Sequence, residues 1–306
     1  MAHDTTVHDT TVQDTTGHTI SDKRPQKRQH RKPAQDRSWT PRNVVLLLVG
    51  SLISLLTIFP LLWMITSAFK PADEVYGNNL LPKAPTLENF TYVFSEVPFL
   101  RYMVNSFFVS AVITVLALLF HSMAAYALAR LKFKGRDTIF MVIFSTLLVS
   151  LPVVMIPTFV VIRALGLLDS YAGLIIPMIF NAFGIFLLRQ FYLGLPDELE
   201  EAALIDGAGY WRIYWSVILP LSKPIMSALA VFFFLANWNS FIWPLTITSD
   251  PNLRVVQVGI ATFQQQYQSD WNYILAAAAV AAAPTLLIFF FFQKQIVASI
   301  KTSGIK

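Results

Sequence analysis

The acidic residues of this chain are sparse except in one place. Within "PDELEEAALIDGAGYWRIYWSVILPLSKP", Pro196 to Pro224, stand Asp197, Glu198, Glu200, Glu201 and Asp206, followed by a pair of glycines and a run of aromatics. The chemistry available to them is charge recognition at a helix end. Pro196 suits a first helical turn, the acids complement the positive N-terminal dipole, and Glu198 to Ile205 are good helix formers. Gly207 and Gly209 then permit the φ > 0 backbone that turns one helix into another. A second, amphipathic helix is expected beyond them, carrying Trp211, Tyr214, Trp215 and Ile218 at helical spacing with Arg212 among them, and ending at Leu219 and Pro220.

A second group of polar side chains lies inside apolar runs. Asn181, and Asn237 with Asn239 around Trp238, offer amide donors and acceptors beside an aromatic face, the chemistry that sugar hydroxyls and ring C–H groups use. The competing reading is hydrogen bonding between helices. His121 shares its run with no Asp or Glu, which favours a satisfied packing residue over a proton relay. The absence of cysteine excludes disulfides, thiolate metal sites and a cysteine nucleophile. The histidines His3, His8 and His18 belong to a polar repeat, "HDTTVHDTTVQDTTG", and make a poor metal site.

The elements that must position these groups are membrane helices. The chain has 306 residues, 55% hydrophobic and 13% charged, with a mean hydropathy of +0.55. Soluble domains are seldom so apolar. Six stretches are long enough to cross a bilayer, which takes about twenty apolar residues: 44–69, 102–129, 138–162, 171–188, 224–247 and 273–292. The first holds no charge and reaches about 39 Å, more than a hydrocarbon core of about 30 Å requires. None shows the strict alternation of a barrel strand, so an all-α membrane protein is expected. Pro152 and Pro157 break the hydrogen-bond ladder of the third span, either shaping a cavity or kinking a packed helix, and the alanines from Ala276 to Ala283 read as close helix packing.

Burying the five carboxylates of the 196–224 stretch at mid-membrane would cost about 12 to 17 kcal/mol together, so that stretch lies outside the bilayer. Basic residues orient the rest. "KRPQKRQHRK" before the first span and "RLKFKGR" after the second belong in the cytoplasm, and six spans then put both termini and the acidic stretch there. The net charge of +5 is modest, and eight of the Lys and Arg residues lie in the first 43 positions, a basic excess that argues for topology rather than nucleic-acid binding. Residues 1–42 are expected to form a disordered cytoplasmic tail and 43–306 the membrane domain. The first apolar run is too long and too far from the start for a signal peptide and reads as a retained span.

Glu201-Ala202-Ala203, three residues, Gly207, nine residues, Val217, one residue, then Leu219-Pro220 resembles the EAA motif of permease subunits in binding-protein-dependent ABC importers. Val217 stands where isoleucine is usual. "SAFKPADEV", "NSFFVSAVIT", "AAYALARLKFKGRD", "LGLLDSYAGLIIP", "ANWNSFIWPL" and the closing "KTSGIK" are similar to the carbohydrate branch of these permeases, in particular to the maltose-permease G-type subunit, from about Trp39 onward. The resemblance implies a type I importer permease fold of six transmembrane helices, with residues 196–220 as a cytoplasmic coupling loop in a bacterial inner membrane. It implies that Glu201, Ala202, Ala203, Asp206, Gly207, Leu219 and Pro220 contact an ABC ATPase dimer. It also implies a second homologous permease subunit and an extracytoplasmic sugar-binding protein. Sugars, polyols and glycerol phosphate esters are carried by closely similar permeases. The chain has no phosphate-binding G-x-x-x-x-G-K-[ST] loop, so ATP and Mg are expected on the partner and no cofactor or catalytic residue on this chain. An ion-coupled carrier acting alone would show intramembrane acids and two related halves; a mere scaffold would need neither cavity polarity nor a docking motif.

Overall fold

The computed structural model describes residues 11–13, 19–21, 41–266 and 270–303. The chain divides into two units, Met1–Leu55 and Leu56–Lys306. In the first, β1 (Thr11–Gln13) pairs antiparallel with β2 (Thr19–Ser21), Val12 opposite Ile20. The remainder of the polar tail lies outside the described residues. Helix α1 (Pro41–Ala68) crosses the unit boundary; its apolar residues from Val45 to Leu62 are almost all exposed, as a lipid-facing segment requires.

The second unit is a helical bundle built on α3 (Phe99–Arg130). The short α2 (Glu88–Ser95) precedes it, and α4 (Arg136–Ser145), α5 (Leu151–Ala164), α6 (Tyr171–Ile179) and α7 (Ala182–Leu193) follow. Then come α8 (Glu198–Ile205) and α9 (Tyr210–Ile213), a π-helical turn (Tyr214–Ile218), α10 (Leu219–Leu221) and α11 (Lys223–Trp238). The described chain closes with α12 (Ile242–Ile247), α13 (Val256–Gln266) and α14 (Trp271–Ser303).

Among the described residues, only α1, α3 and α14 are single helices long and apolar enough to cross a membrane; three bent pairs bring the number to as many as six. None of the expected spans 138–162, 171–188 and 224–247 is one continuous helix: the first two are bent pairs, whereas the third bent pair joins Tyr210–Leu221 to Lys223–Trp238 and the span 224–247 is interrupted separately. In the first of these, α4 and α5 meet at 106°. Ser150 is extended just ahead of Pro152, whose missing N–H and bulky ring prevent α4 from running on. In the second, α6 and α7 bend by 40° at Phe180 and Asn181, both in extended conformation, and α7 continues to Leu193. In the third, α11 stops at Trp238 and α12 resumes at Ile242.

A break inside an apolar medium leaves backbone groups without partners, and each such group costs several kcal/mol. Side chains from neighbouring helices supply them. Pro177 cannot donate to the Gly173 carbonyl, and the Trp243 indole N–H does so instead at 3.2 Å. At the α6–α7 break the Asn181 N–H donates to His121 Nε2 at 3.0 Å, and the Asn181 side-chain oxygen caps α7 by accepting from the Phe183 N–H. His121 is thus a fully buried packing residue, its ring edge-on to Phe233.

At the N-terminal end of α3, amides stitch loops to the bundle. Asn105 donates to the carbonyls of Asn252 and Arg254 and accepts from the Tyr171 hydroxyl. Asn89 donates to the carbonyls of Ala68 and Lys70 and accepts from Asn272. Ala276, Ala277 and Ala281 are buried, which lets α14 come close to its neighbours.

Gly184 of α7 sits where a Cβ would lie 2.4 Å from His121 Nδ1 and 2.7 Å from the Phe233 ring. Gly184→Ala should therefore lower stability by about 1 to 3 kcal/mol, whereas Gly50→Ala, with nothing within 4 Å, should leave it unchanged; thermal unfolding in detergent compares the two.

Candidate functional site

Two places in the bundle carry the residues singled out above: the coupling loop and a cavity beside the broken spans. The loop begins with α8, which covers the expected residues Glu198 to Ile205. It ends in a Schellman motif: the Gly207 N–H donates to the Leu204 carbonyl and the Ala208 N–H to the Ala203 carbonyl. Gly207 takes φ +79, the left-handed conformation that motif requires, while Gly209 is extended and starts α9. Of the two glycines, only Gly207 uses its freedom from a Cβ.

The second arm differs from the expected regular helix. Around Tyr214–Ile218 it widens into a π-turn and continues through Pro220 to Leu221 before bending 75° into α11. Pro220 has no N–H for the Ser216 carbonyl and its ring would crowd that oxygen. The wider turn, with the Leu219 N–H reaching back to Tyr214, removes the conflict. Ile213, Tyr214 and Ile218 are buried against Ala125, Tyr126, Leu128 and Ala129 of α3, and the Tyr214 hydroxyl lies 2.6 Å from Ser122 Oγ. Trp211 and Trp215 remain exposed.

α8 is attached differently. Glu201, Ala202, Asp206 and Gly207 are exposed, Ala203 is half-buried against the core, and Leu219 is half-buried with Pro220 exposed. Ile205 is 86% exposed, a large apolar side chain presented to the surroundings at the tip of the loop. The helix buries a single residue, Glu200. Its carboxylate lies 3.3 Å from the guanidinium of Arg130, the last residue of α3, whose side chain is only 8% exposed. Arg130 also donates to Asp197 and to the Leu195 carbonyl. Burial pushes the Glu200 carboxyl above the usual carboxylate range; the Arg130 charge works against this and the Asp197 charge adds to it.

Of the polar residues expected on a substrate path, Asn181 alone lines a cavity of substrate size. That cavity, about 690 Å³, lies between the α4–α5 elbow, the α6–α7 break and Trp243, with Thr146, Thr158 and Asn181 as its polar walls. Asn237 borders a separate void of about 10 Å³, and its amide donates to the Phe233 carbonyl. Trp238 is 2% exposed, stacks on Phe234 and donates its indole N–H to the Ala281 carbonyl, so its face and its donor are both engaged in packing. Asn239 is exposed at the end of α11, donating to the Leu235 carbonyl and accepting from Gln257. The structure does not bring Asn181, Asn237, Trp238 and Asn239 together. Sequence reasoning missed Ile205, Thr158 and the pairing of Arg130 with Glu200. A base on the final turn of one span and acids opening the next loop were the available signal.

With this geometry described, comparison with known proteins identifies the class. The fold matches a chain from the "Crystal structure of a bacterial ABC transporter involved in the import of the acidic polysaccharide alginate", with TM-score 0.76 and 24% identity over 86% of this chain and 99% of that one. It is the all-helical fold of an ABC importer permease. Residues 121–302 match the family described as "Binding-protein-dependent transport system inner membrane component", and the chain belongs to that family. Among relatives, it is 35% identical over 282 residues to the "Arabinooligosaccharides transport system permease protein AraQ" of Halalkalibacterium halodurans, covering 90% of this chain and 99% of the relative. It is 36% identical over 242 residues to the "sn-glycerol-3-phosphate transport system permease protein UgpE" of Yersinia pestis, covering 76% of this chain and 85% of the relative.

A Cβ at residue 207 would strain the left-handed turn. Gly207→Ala should cost about 1 to 2 kcal/mol and Gly207→Asn less, in the same thermal assay.

Proposed function

We propose that this chain is the carbohydrate-conducting permease subunit of an ATP-driven importer. In this reading an extracytoplasmic binding protein delivers the substrate, and α8 docks on a separate ABC ATPase that closes on ATP and Mg. A second, homologous permease subunit completes the pore, with both termini and the 196–220 loop in the cytoplasm. The observation that carries the reading is the attachment of α8. It stands off the bundle on one buried side chain, with Glu201, Ala202 and Ile205 turned outward beyond a glycine-closed cap. Such a surface has small residues for close approach, an apolar tip and a carboxylate for a charge-assisted bond, and it suits insertion into a cleft.

The cavity favours a neutral carbohydrate over a phosphate ester or an acidic sugar. Its walls are Asn181, Thr146 and Thr158 among apolar side chains, with no Lys, Arg or His among them. Amides and hydroxyls pair with sugar hydroxyls; an anion would need a cationic fork.

Coexpression with genetically linked subunits, mild-detergent purification and uptake assays in lipid test this. The complex should contain an ATPase, and uptake of a neutral sugar should depend on ATP and on the binding protein. Recovery of this chain alone, competent for uptake without ATP, would refute the reading. Ile205→Asp and Glu201→Lys should leave insertion intact and weaken ATPase capture by roughly tenfold or more, a loss of about 1.4 kcal/mol at the interface. Asn181→Leu should lower uptake or shift sugar selectivity without changing subunit recovery; unaltered transport of every sugar would assign Asn181 to capping alone.

A further inference from the structure

The two arms of the 196–220 loop are held to α3 by different forces, and the difference has a mechanical consequence. The second arm is gripped by continuous apolar packing through Ile213, Tyr214 and Ile218, with the Tyr214–Ser122 hydroxyl pair inside it. α8 has no comparable apolar footing: Ala203 contributes a half-buried methyl, and the one buried side chain is a carboxylate. What fixes α8 in position and rotation is the guanidinium of Arg130.

Arg130 addresses two carboxylates that lie three residues apart on one face of the chain entering α8, the spacing at which side chains are neighbours on a helix surface. It donates to Asp197, which is 80% exposed, and to the Leu195 carbonyl. Toward the buried Glu200 it is 3.3 Å away but not aligned: Arg130 Nε and Glu200 Oε1 both lie buried without a hydrogen bond. Two buried, opposite charges within reach but unbonded are held short of their best geometry, since a planar guanidinium gains most from an in-plane bond to a carboxylate. A small rotation of α8 about its axis would align Glu200 with Arg130 and release Asp197 to water. Exchange of one guanidinium between two carboxylates would give this joint two discrete arrangements, the property an element needs in order to carry coupling.

We propose that Arg130 is a positioning residue that couples α8 to α3 by exchanging its bond between Asp197 and Glu200 as α8 is displaced. This rests on the function proposed above and deepens it: the charge pair, rather than the apolar grip, transmits the movement of the docking helix into the bundle. The side chains of Arg130 and of Glu200 in α8 are only 8% and 11% exposed, withdrawn from the outward face of α8 on which docking is proposed, so their effect is separable from docking itself.

The test is the number of sugar molecules imported per ATP hydrolysed by the full complex in lipid, with the unaltered chain, Arg130→Lys, Arg130→Met, Glu200→Gln, Asp197→Asn and the exchanged pair Arg130→Glu with Glu200→Arg. Complexes should assemble with the ATPase. The ratio should fall about fivefold or more in Glu200→Gln and Arg130→Met, and by a smaller factor in Asp197→Asn and Arg130→Lys, which lose a charge or the planar fork but keep a hydrogen-bonding group. The exchanged pair should recover part of what Arg130→Met loses. A ratio unchanged in Glu200→Gln and Arg130→Lys, or uptake and hydrolysis falling together in proportion to assembled complex, would overturn the inference and leave a merely structural pair. If Arg130→Met fails to assemble, Arg130→Lys and Glu200→Gln still decide. Absence of ATP-dependent uptake by the unaltered chain would instead overturn the function on which the inference rests.

Discussion

Backbone polar groups cannot be left unpaired in an apolar medium, and the three interrupted spans of this protein are arranged around that constraint. A span that breaks must borrow donors and acceptors from a neighbour. The α6–α7 break does so twice, taking a donor from Trp243 of α12 for the Gly173 carbonyl and an acceptor from His121 of α3 for the Asn181 N–H. Both lenders are large, buried and rigidly packed, so the bend they satisfy is a fixed feature. The cavity beside it owes its shape to that fixity, because Pro177, Asn181 and Trp243 are all in its wall.

The same economy governs the loop between α7 and α11. Its second arm yields to Pro220 by widening into a π-turn, and so keeps its backbone paired while burying Tyr214 and Ile218 in the core. Its first arm yields to Gly207 through the Schellman cap and keeps its outward face free. The two arms of the loop are thus attached to the bundle by different means, one by apolar packing and the other by one buried charged residue.

The polar groups that ordinary membrane reasoning marks as functional divide sharply here. Asn89, Asn105 and Asn272 fasten loops at the N-terminal end of α3. Trp238 and Asn237 bind backbone carbonyls inside the bundle. Asn181 does two things at once, capping α7 and facing the cavity. An asparagine in a span is thus a local backbone question first and a substrate question second, since its amide is spent on whichever unpaired group is nearest.

Much of this was legible from residue types alone. The helical membrane body, the extent of α1, α3 and α8 and the turn at Gly207 follow from hydropathy and helix propensity, which act locally along the chain. The breaks at Val149 and Ser150, at Phe180 and Asn181, and at Asn239 were hidden, because an interrupted apolar run has the same composition as a continuous one. So was the burial of Glu200: five acids in one polar stretch look alike until α3 places Arg130 beneath one of them. The packing of Trp238 was hidden for the same reason. Which face of α11 meets α14 is settled by packing against Ala277 and Ala281, residues some forty positions away, and no local pattern encodes a partner at that distance. Local chemistry determined what the elements are; only tertiary packing decided which charges pair, which amides are spent on backbone groups, and where a cavity opens.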